Sequence, residues 1–396
     1  MMFWKFMVMT RNIKEGSELC QIDAGISLVS LWYNSSMVEK VFMKGNEVIA
    51  EAAVQAGCRF YAGYPITPQN EIPEYMSKRM PEVGGVFIQA ESELAAINMV
   101  YGASACGARA MTSSSSPGIS LKQECISYLA GSELPAVIVN MERGGPGLGN
   151  ISGSQADYFQ AVKGGGHGDY KLLVYAPYNL QELWELTMLA FDKADEYRNP
   201  VMLLGDGILG QMMEPFVAAP YVKPDLPEKT WALTGCKGRR PNVLKSLYMG
   251  EGELEMRNNM LQQKYGKMKE KEVRYDSFQT DDAELIVVAF GIAARIALSA
   301  VKRLRNNGLK VGLFRPVTLF PFPERELYDL SGEGREFLTV EFNAGQMVED
   351  VRLAVNGRSK VHFYGRPGGA IVMPEEVQEK ILSLLTPHYS VAQSRS

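Results

Sequence analysis

The chain is poor in the two side chains that most often hold metals. It has three histidines in 396 residues, and its five cysteines (Cys20, Cys58, Cys106, Cys125, Cys236) stand apart, with no Cys-x-x-Cys pair. Structural zinc and iron–sulfur clusters need grouped thiolates or imidazoles, so neither is expected on this chain. Scattered thiols in a chain of this size fit a reducing cytoplasm. No apolar run reaches the roughly 18 residues of a membrane span. The apolar opening, Met1 to Met9, is short and lacks a small-residue cleavage site, which argues against a signal peptide. An excess of positive charge is missing as well. The net charge is −4 and the pI about 5.7, which leaves no basic footprint for nucleic acid. The single basic cluster, Lys237-Gly238-Arg239-Arg240, reads as solvated surface in an acidic field. A dinucleotide fingerprint also fails: after Gly147-Leu148-Gly149 the third glycine position is Ser152.

What the chain does have is alternation. With 46% hydrophobic and 22% charged residues it has ample core. Apolar or β-branched runs at 59–64, 83–89, 108–113, 136–141, 171–176 and 200–204 predict strands. Helical patterns lie between them at 46–57, 70–79, 91–106, 119–131 and 180–197. Strands alternating with helices predict an α/β fold with a doubly wound, mostly parallel sheet. The pattern fades over 216–281, read as a connector with one exposed helix in the charged stretch 251–271. It returns with strands at 285–290, 310–314, 336–341 and 360–364 and helices at 292–307, 346–356 and 374–385. The division is therefore a head at 1–36 with no steady period, a first domain at 37–215, the connector at 216–281, a second doubly wound domain at 282–388 and a tail at 389–396.

Polar blocks stand where the first domain's strands should end, the edge at which open α/β sheets bind ligands. Glu91 and Glu93 open one helix. Residues two apart do not share a helix face. Glu93 shares its face with Ala96, Ile97 and Val100, so its carboxylate is expected to be desolvated. Both acids equally complement the helix dipole. Ser113 to Ser116 end a strand before Pro117-Gly118; their hydroxyls line a ligand or cap the next helix. Arg143 precedes a glycine-rich turn, and a guanidinium there can hold a carboxylate bidentately. His167, in Gly164-Gly165-Gly166-His167-Gly168-Asp169, can move protons near neutrality, bind phosphate or stand in solvent. Gly205-Asp206-Gly207 resembles the start of the diphosphate and Mg²⁺ motif of thiamine enzymes. The asparagine that motif needs 25 to 30 residues on is missing from Lys229-Thr230-Trp231-Ala232-Leu233-Thr234, so it reads as a strand-end turn.

Five runs in order carry a resemblance: Gly63-Tyr64-Pro65-Ile66-Thr67-Pro68-Gln69-Asn70, Glu91-Ser92-Glu93-Leu94-Ala95-Ala96, Lys163 to Asp169, Arg315-Pro316-Val317-Thr318-Leu319-Phe320-Pro321 and Glu341-Phe342-Asn343-Ala344-Gly345-Gln346. From about Val41 to Leu385 the chain resembles the α subunit of 2-oxoacid:ferredoxin oxidoreductases. Gln69-Asn70 and the serine run point to the branched-chain type acting on 2-oxoisovalerate, with the 2-oxoglutarate type as the alternative. The resemblance implies a thiamine diphosphate pyrimidine-binding domain followed by a transketolase C-terminal-like domain. It implies that Glu93 bonds the aminopyrimidine and favours the imino tautomer that takes the thiazolium C2 proton. Thr67 and Arg143 would contact the substrate carboxylate, and Pro65 and Ser116 would line the cofactor. The role of His167 is not fixed by it.

It also implies partners. A β subunit would bind the diphosphate and Mg²⁺, a ferredoxin-like δ subunit would carry the iron–sulfur clusters, and a γ subunit would complete the complex. Coenzyme A would take the acyl group and an external ferredoxin the electrons. A non-catalytic scaffold subunit is the competing class; loss of Glu93 or Arg143 would favour it, and both are present. A self-sufficient thiamine enzyme would need the complete diphosphate motif.

Overall fold

Two parallel sheets arise because nearly every strand is followed by a helix long enough to cross back over it. The computed structural model describes residues 40–332 and 334–393. The predicted head at 1–36 lies outside the described residues. The elements run β1 (Lys40–Lys44), α1 (Gly45–Gln55), β2 (Phe60–Gly63), α2 (Glu71–Glu82), β3 (Val86–Gln89), α3 (Glu93–Ala105), β4 (Ala110–Ser114), α4 (Pro117–Gly131), β5 (Ala136–Glu142), α5 (Tyr158–Val162), β6 (Leu173–Tyr175), α6 (Leu180–Tyr197), β7 (Pro200–Asp206), α7 (Gly207–Gln211) and β8 (Met213–Val217). They continue with α8 (Glu253–Lys271), β9 (Tyr275–Phe278), β10 (Leu285–Val288), α9 (Gly291–Asn306), β11 (Val311–Pro316), β12 (Thr318–Phe320), α10 (Glu324–Leu330), β13 (Glu336–Glu341), α11 (Met347–Val355), β14 (Lys360–Gly365) and α12 (Pro374–Gln393).

The larger sheet has the order β12-β6-β7-β5-β4-β2-β3, parallel except for β12 against β6. The smaller has the order β14-β13-β10-β11-β9, parallel except for β9 against β11. Strands β4, β5 and β7 are buried at every position. Helices on both faces require this, so these strands read as continuous runs of apolar and small residues rather than alternating ones. Local signals set the helix starts. Ser92 Oγ accepts the Ala95 N–H at 3.2 Å to cap α3, Pro117 opens α4, and Asn179 Oδ1 accepts the Glu182 N–H at 2.8 Å to cap α6.

One apolar cluster packs α1, α2 and α6 on one face of the larger sheet. Its other face shares a cluster with the smaller sheet, where Ile138, Met202 and Leu204 join Ile286, Phe314 and Phe337. A third cluster places α9 and α12 on the far face of the smaller sheet. Arg315 ties the sheets electrostatically. It is buried, bonds Glu182 of α6 at 2.6 and 2.9 Å, pairs with Asp276, and stacks over the Tyr178 ring.

The structure corrects three expectations. The helix expected to be exposed is α8, but Leu261, Tyr265 and Met268 form a buried stripe within it, at helical spacing among lysines and glutamates. Strands β9 and β12 were not anticipated: β9 is short and polar, and β12 follows β11 after one residue yet leaves its sheet to pair with β6. Helix α12 runs through Gln393, not to Leu385.

Candidate active site

The carboxyl ends of β2, β4 and β5 lie side by side, because these strands are adjacent in the larger sheet. The chain leaving β3 turns at Ser92 and enters α3 beside them, which brings Glu93 to the same edge. Glu93 is only 7% exposed, and its carboxylate has no hydrogen-bond partner among the described residues. Its neighbour Glu91 is exposed and lies before the Ser92 cap, outside the helix it was expected to open, so it does not share the helix with Glu93.

The Glu93 carboxylate rests against Gly118 at the start of α4. A Cβ on Gly118 would lie 2.7 Å from Glu93 Oε1 and closer still to Ser114 Oγ. Only glycine leaves that space. Gly118→Ala should therefore push Glu93 aside and cost roughly 1–3 kcal/mol of stability, the usual scale for overpacking. Urea unfolding checks this; an unchanged midpoint would show that the carboxylate is not held there.

Arg143 follows β5 and is buried. Its Nη1 donates to Thr67 O at 2.9 Å and its Nη2 to Leu148 O at 3.0 Å, while Nε is buried without a partner. The guanidinium thus clamps the turn after β2 to the glycine-rich turn after β5, a structural task the sequence did not reveal. Thr67 is half-buried, and its Oγ1 accepts from Asn70 Nδ2 at 3.3 Å. Pro65 is exposed in the same turn. Ser116 has φ 23°, a left-handed value that a serine keeps only when its surroundings impose it. Its N–H donates to Asn140 Oδ1 at 3.0 Å, and its Oγ accepts the Arg143 N–H at 3.0 Å. Thr67, Arg143 and Ser116 are therefore one connected group. Ser114 Oγ and Ser115 Oγ, beside it, are buried and unpartnered.

Beneath this group lie buried acids. Glu142 accepts the Asp157 N–H at 2.7 Å, and Asn140 Nδ2 donates to Asp157 at 2.9 Å. Burial, and then the nearby charges of Asp157, Asp206 and Glu341, hold the Glu142 carboxyl well above the usual range. Its proton is thus kept to higher pH in the folded chain than in the unfolded one. Above its ordinary value the unfolded chain binds fewer protons, so stability falls as pH rises. Glu142→Gln should remove that slope: its melting-temperature advantage over the parent should be larger at pH 8 than at pH 5. A gap that does not widen with pH would clear Glu142 of this role.

His167 is not brought to the group. It is exposed and meets the Tyr128 ring edge-on at 6.4 Å. Tyr128 is ten residues along α4 from Gly118, about 15 Å at 1.5 Å per residue. Asp206 caps α7 through the Ile208 and Leu209 N–H groups at 2.8 and 3.1 Å, as a strand-end turn should. Burial pushes its carboxyl up to about 6. Sequence reading missed Asn140 and Lys122, and it used Gln69 only as a mark of the branched-chain type. Gln69 accepts from Ser113 Oγ at 2.5 Å, and Ser113 also meets the Tyr61 hydroxyl. A lysine on the Gly118–Ile119–Ile126 face of α4 was the one available signal.

Residues 51–274 match the family described as pyruvate flavodoxin/ferredoxin oxidoreductase, thiamine diphosphate-binding, and residues 283–377 match pyruvate:ferredoxin oxidoreductase core domain II. The chain belongs to the 2-oxoacid:ferredoxin oxidoreductase family. It is 51% identical to the ketoisovalerate oxidoreductase subunit VorB of Methanothermobacter thermautotrophicus, over 86% of this chain and 96% of that protein. It is 36% identical to the 2-oxoglutarate synthase subunit KorA of the same organism, over 88% of this chain and 100% of that protein. Among solved structures, a 2-oxoglutarate:ferredoxin oxidoreductase from Magnetococcus marinus, with 2-oxoglutarate, coenzyme A and succinyl-CoA bound, superposes with a TM-score of 0.78 at 24% identity. That match covers 87% of this chain, which spans 65% of the length of the solved chain. A split-gene transketolase superposes with a TM-score of 0.54 at 14% identity, over 87% of this chain and 98% of that one. These likenesses to solved structures establish the two-sheet fold. No helix among the described residues is long and apolar enough to cross a membrane.

Proposed function

We propose that this chain is the α subunit of a thiamine diphosphate-dependent oxidoreductase that converts 2-oxoisovalerate, coenzyme A and two oxidised ferredoxins to acyl-CoA, CO₂, two reduced ferredoxins and a proton. It works with a β subunit holding the diphosphate and Mg²⁺, a γ subunit and a ferredoxin-like δ subunit carrying iron–sulfur clusters. The observation that carries the reading is Glu93, a buried carboxylate with no bonded partner against the bare Cα of Gly118.

The residues fit the aminopyrimidine half of the cofactor. Ser114 Oγ and Ser115 Oγ are buried without partners among the described residues, and Ser114 Oγ and the Glu93 carboxylate flank a surface that a Cβ on Gly118 would fill. Buried polar groups are normally paired, so such a set marks a place for a polar ligand. When bound, thiamine diphosphate supplies the electron sink for decarboxylation. Glu93 would then hydrogen-bond the aminopyrimidine ring, where burial makes that bond strong. Ser116 and the Pro65 turn line the cofactor. The free Arg143 Nε and the Thr67 hydroxyl proton are the donors for the substrate carboxylate. The exposed His167 takes no part in these contacts.

The higher identity to the ketoisovalerate subunits than to the 2-oxoglutarate subunits favours a branched-chain substrate. Steady-state assay of the reconstituted complex with 2-oxoisovalerate, pyruvate and 2-oxoglutarate tests the reading. The largest kcat/KM is expected for 2-oxoisovalerate; a larger value for 2-oxoglutarate would move the assignment to that substrate. The isolated chain should bind the cofactor weakly, because Asp206 is committed to capping α7. Tight Mg²⁺-dependent binding to the pure chain in calorimetry would overturn the division of labour.

A further inference from the structure

Lys122 is an ionisable group buried without a charged hydrogen-bond partner. It is a lysine with no exposed surface and no ion pair within salt-bridge distance among the described residues. Its Nζ donates to Thr112 Oγ1 at 2.6 Å and to Ser113 O at 3.2 Å, both on β4. Those two acceptors take two of the three protons an ammonium carries. The position is set by the helix. Lys122 lies four residues after Gly118, so it stands on the same face of α4, one turn below the glycine against which the Glu93 carboxylate rests.

We propose that Lys122 is the positioning residue for Glu93: a basic side chain buried one helical turn from Gly118, the glycine against which the carboxylate rests, and electrostatically coupled to that carboxylate. The inference rests on the reading of Glu93 given above. The other titratable groups around Lys122 are silent near neutrality. Tyr61 reaches Ser113 from β2, and burial raises its hydroxyl far above that range. Cys125, on α4 itself, turns to Ile97 O and Asn98 Oδ1 of α3, and burial pushes its thiol up to about 12. Glu93 is the charge that acts on Lys122. Burial lowers the amine to about 7, and Glu93 opposes that shift. The influence is mutual: a cation nearby makes the carboxylate easier to ionise, and losing it makes ionisation harder.

Two measurements test this. The first uses the full-length chain without cofactor. Because the folded amine titrates below its unfolded value, the unfolded chain binds more protons between about pH 7 and pH 10.5, and stability should rise through that window. Lys122→Met should abolish the rise. Glu93→Gln should move its onset to lower pH, and should have no such effect in the Lys122→Met background. An onset indifferent to Glu93→Gln overturns the proposal.

The second uses the cofactor-loaded complex and follows exchange of the cofactor C2 proton by NMR as a function of pH. Lys122→Met and Lys122→Gln should both move the midpoint upward by about one pH unit, a tenfold change in the proton equilibrium. Glutamine keeps a donor for Thr112 and Ser113 but no charge. If Lys122→Gln restores the parent midpoint, the lysine only ties β4 and the proposal is overturned. If the parent complex shows no exchange, the functional reading of Glu93 fails, while the cofactor-free titration still decides whether Lys122 and Glu93 are coupled.

Discussion

Glu93→Gln should reduce exchange of the cofactor C2 proton by a hundredfold or more while leaving the complex assembled. Glutamine has nearly the same shape, so the packing against Gly118 survives, but it cannot give or take the proton. General acid–base groups contribute on the order of 10²–10⁴, and this one sits where water is scarce. The structure sharpens the comparison with Glu91, which is exposed and lies outside the helix. Glu91→Gln should leave exchange within a fewfold of the parent. NMR of acid-quenched cofactor measures both, and size-exclusion chromatography confirms assembly. If Glu91→Gln were the severe change, the assignment within the pair would be reversed.

Arg143→Ala should have the second large effect. Removing one partner from a buried charged hydrogen bond costs roughly 2–5 kcal/mol, or about 30- to several-thousand-fold in affinity. The loss should fall on substrate KM rather than on cofactor affinity. The geometry adds a second consequence. Arg143 bonds Thr67 O and Leu148 O, so alanine leaves both carbonyls without a donor and frees the two turns from each other. Proteolysis within 144–152 should accordingly speed up. Arg143→Lys should recover part of the affinity only, because an ammonium cannot reach two carbonyls and a carboxylate in one plane. An unchanged KM in Arg143→Ala would remove this residue from substrate binding and leave it the clamp alone.

The larger effects thus concern residues that the sequence singled out, and the structural reasons are specific. Glu93 was legible because helical periodicity is local: a carboxylate spaced with Ala96, Ile97 and Val100 must share their face, and that face must be buried. The strand-end positions of Thr67, Ser116 and Arg143 were legible for the same reason, since turns and strand ends carry their own chemistry. His167 has an equally suggestive loop, yet the fold places it on the outside of α4 beside Tyr128.

Local pattern by itself determined the alternation of strands and helices, the two parallel sheets and the residues at the carboxyl edge, because each depends on neighbours within about seven positions. Tertiary structure alone decided the rest. It sent β12 back to the larger sheet and hid the stripe of α8 in a core shared by both sheets. It spent two nitrogens of Arg143 on carbonyls 76 and 5 residues away. It also buried Lys122 on the face of α4 that carries Gly118. These outcomes depend on which surfaces meet across the sheet, and burial, which makes a lone lysine or an unpaired carboxylate meaningful, exists only once those surfaces have met.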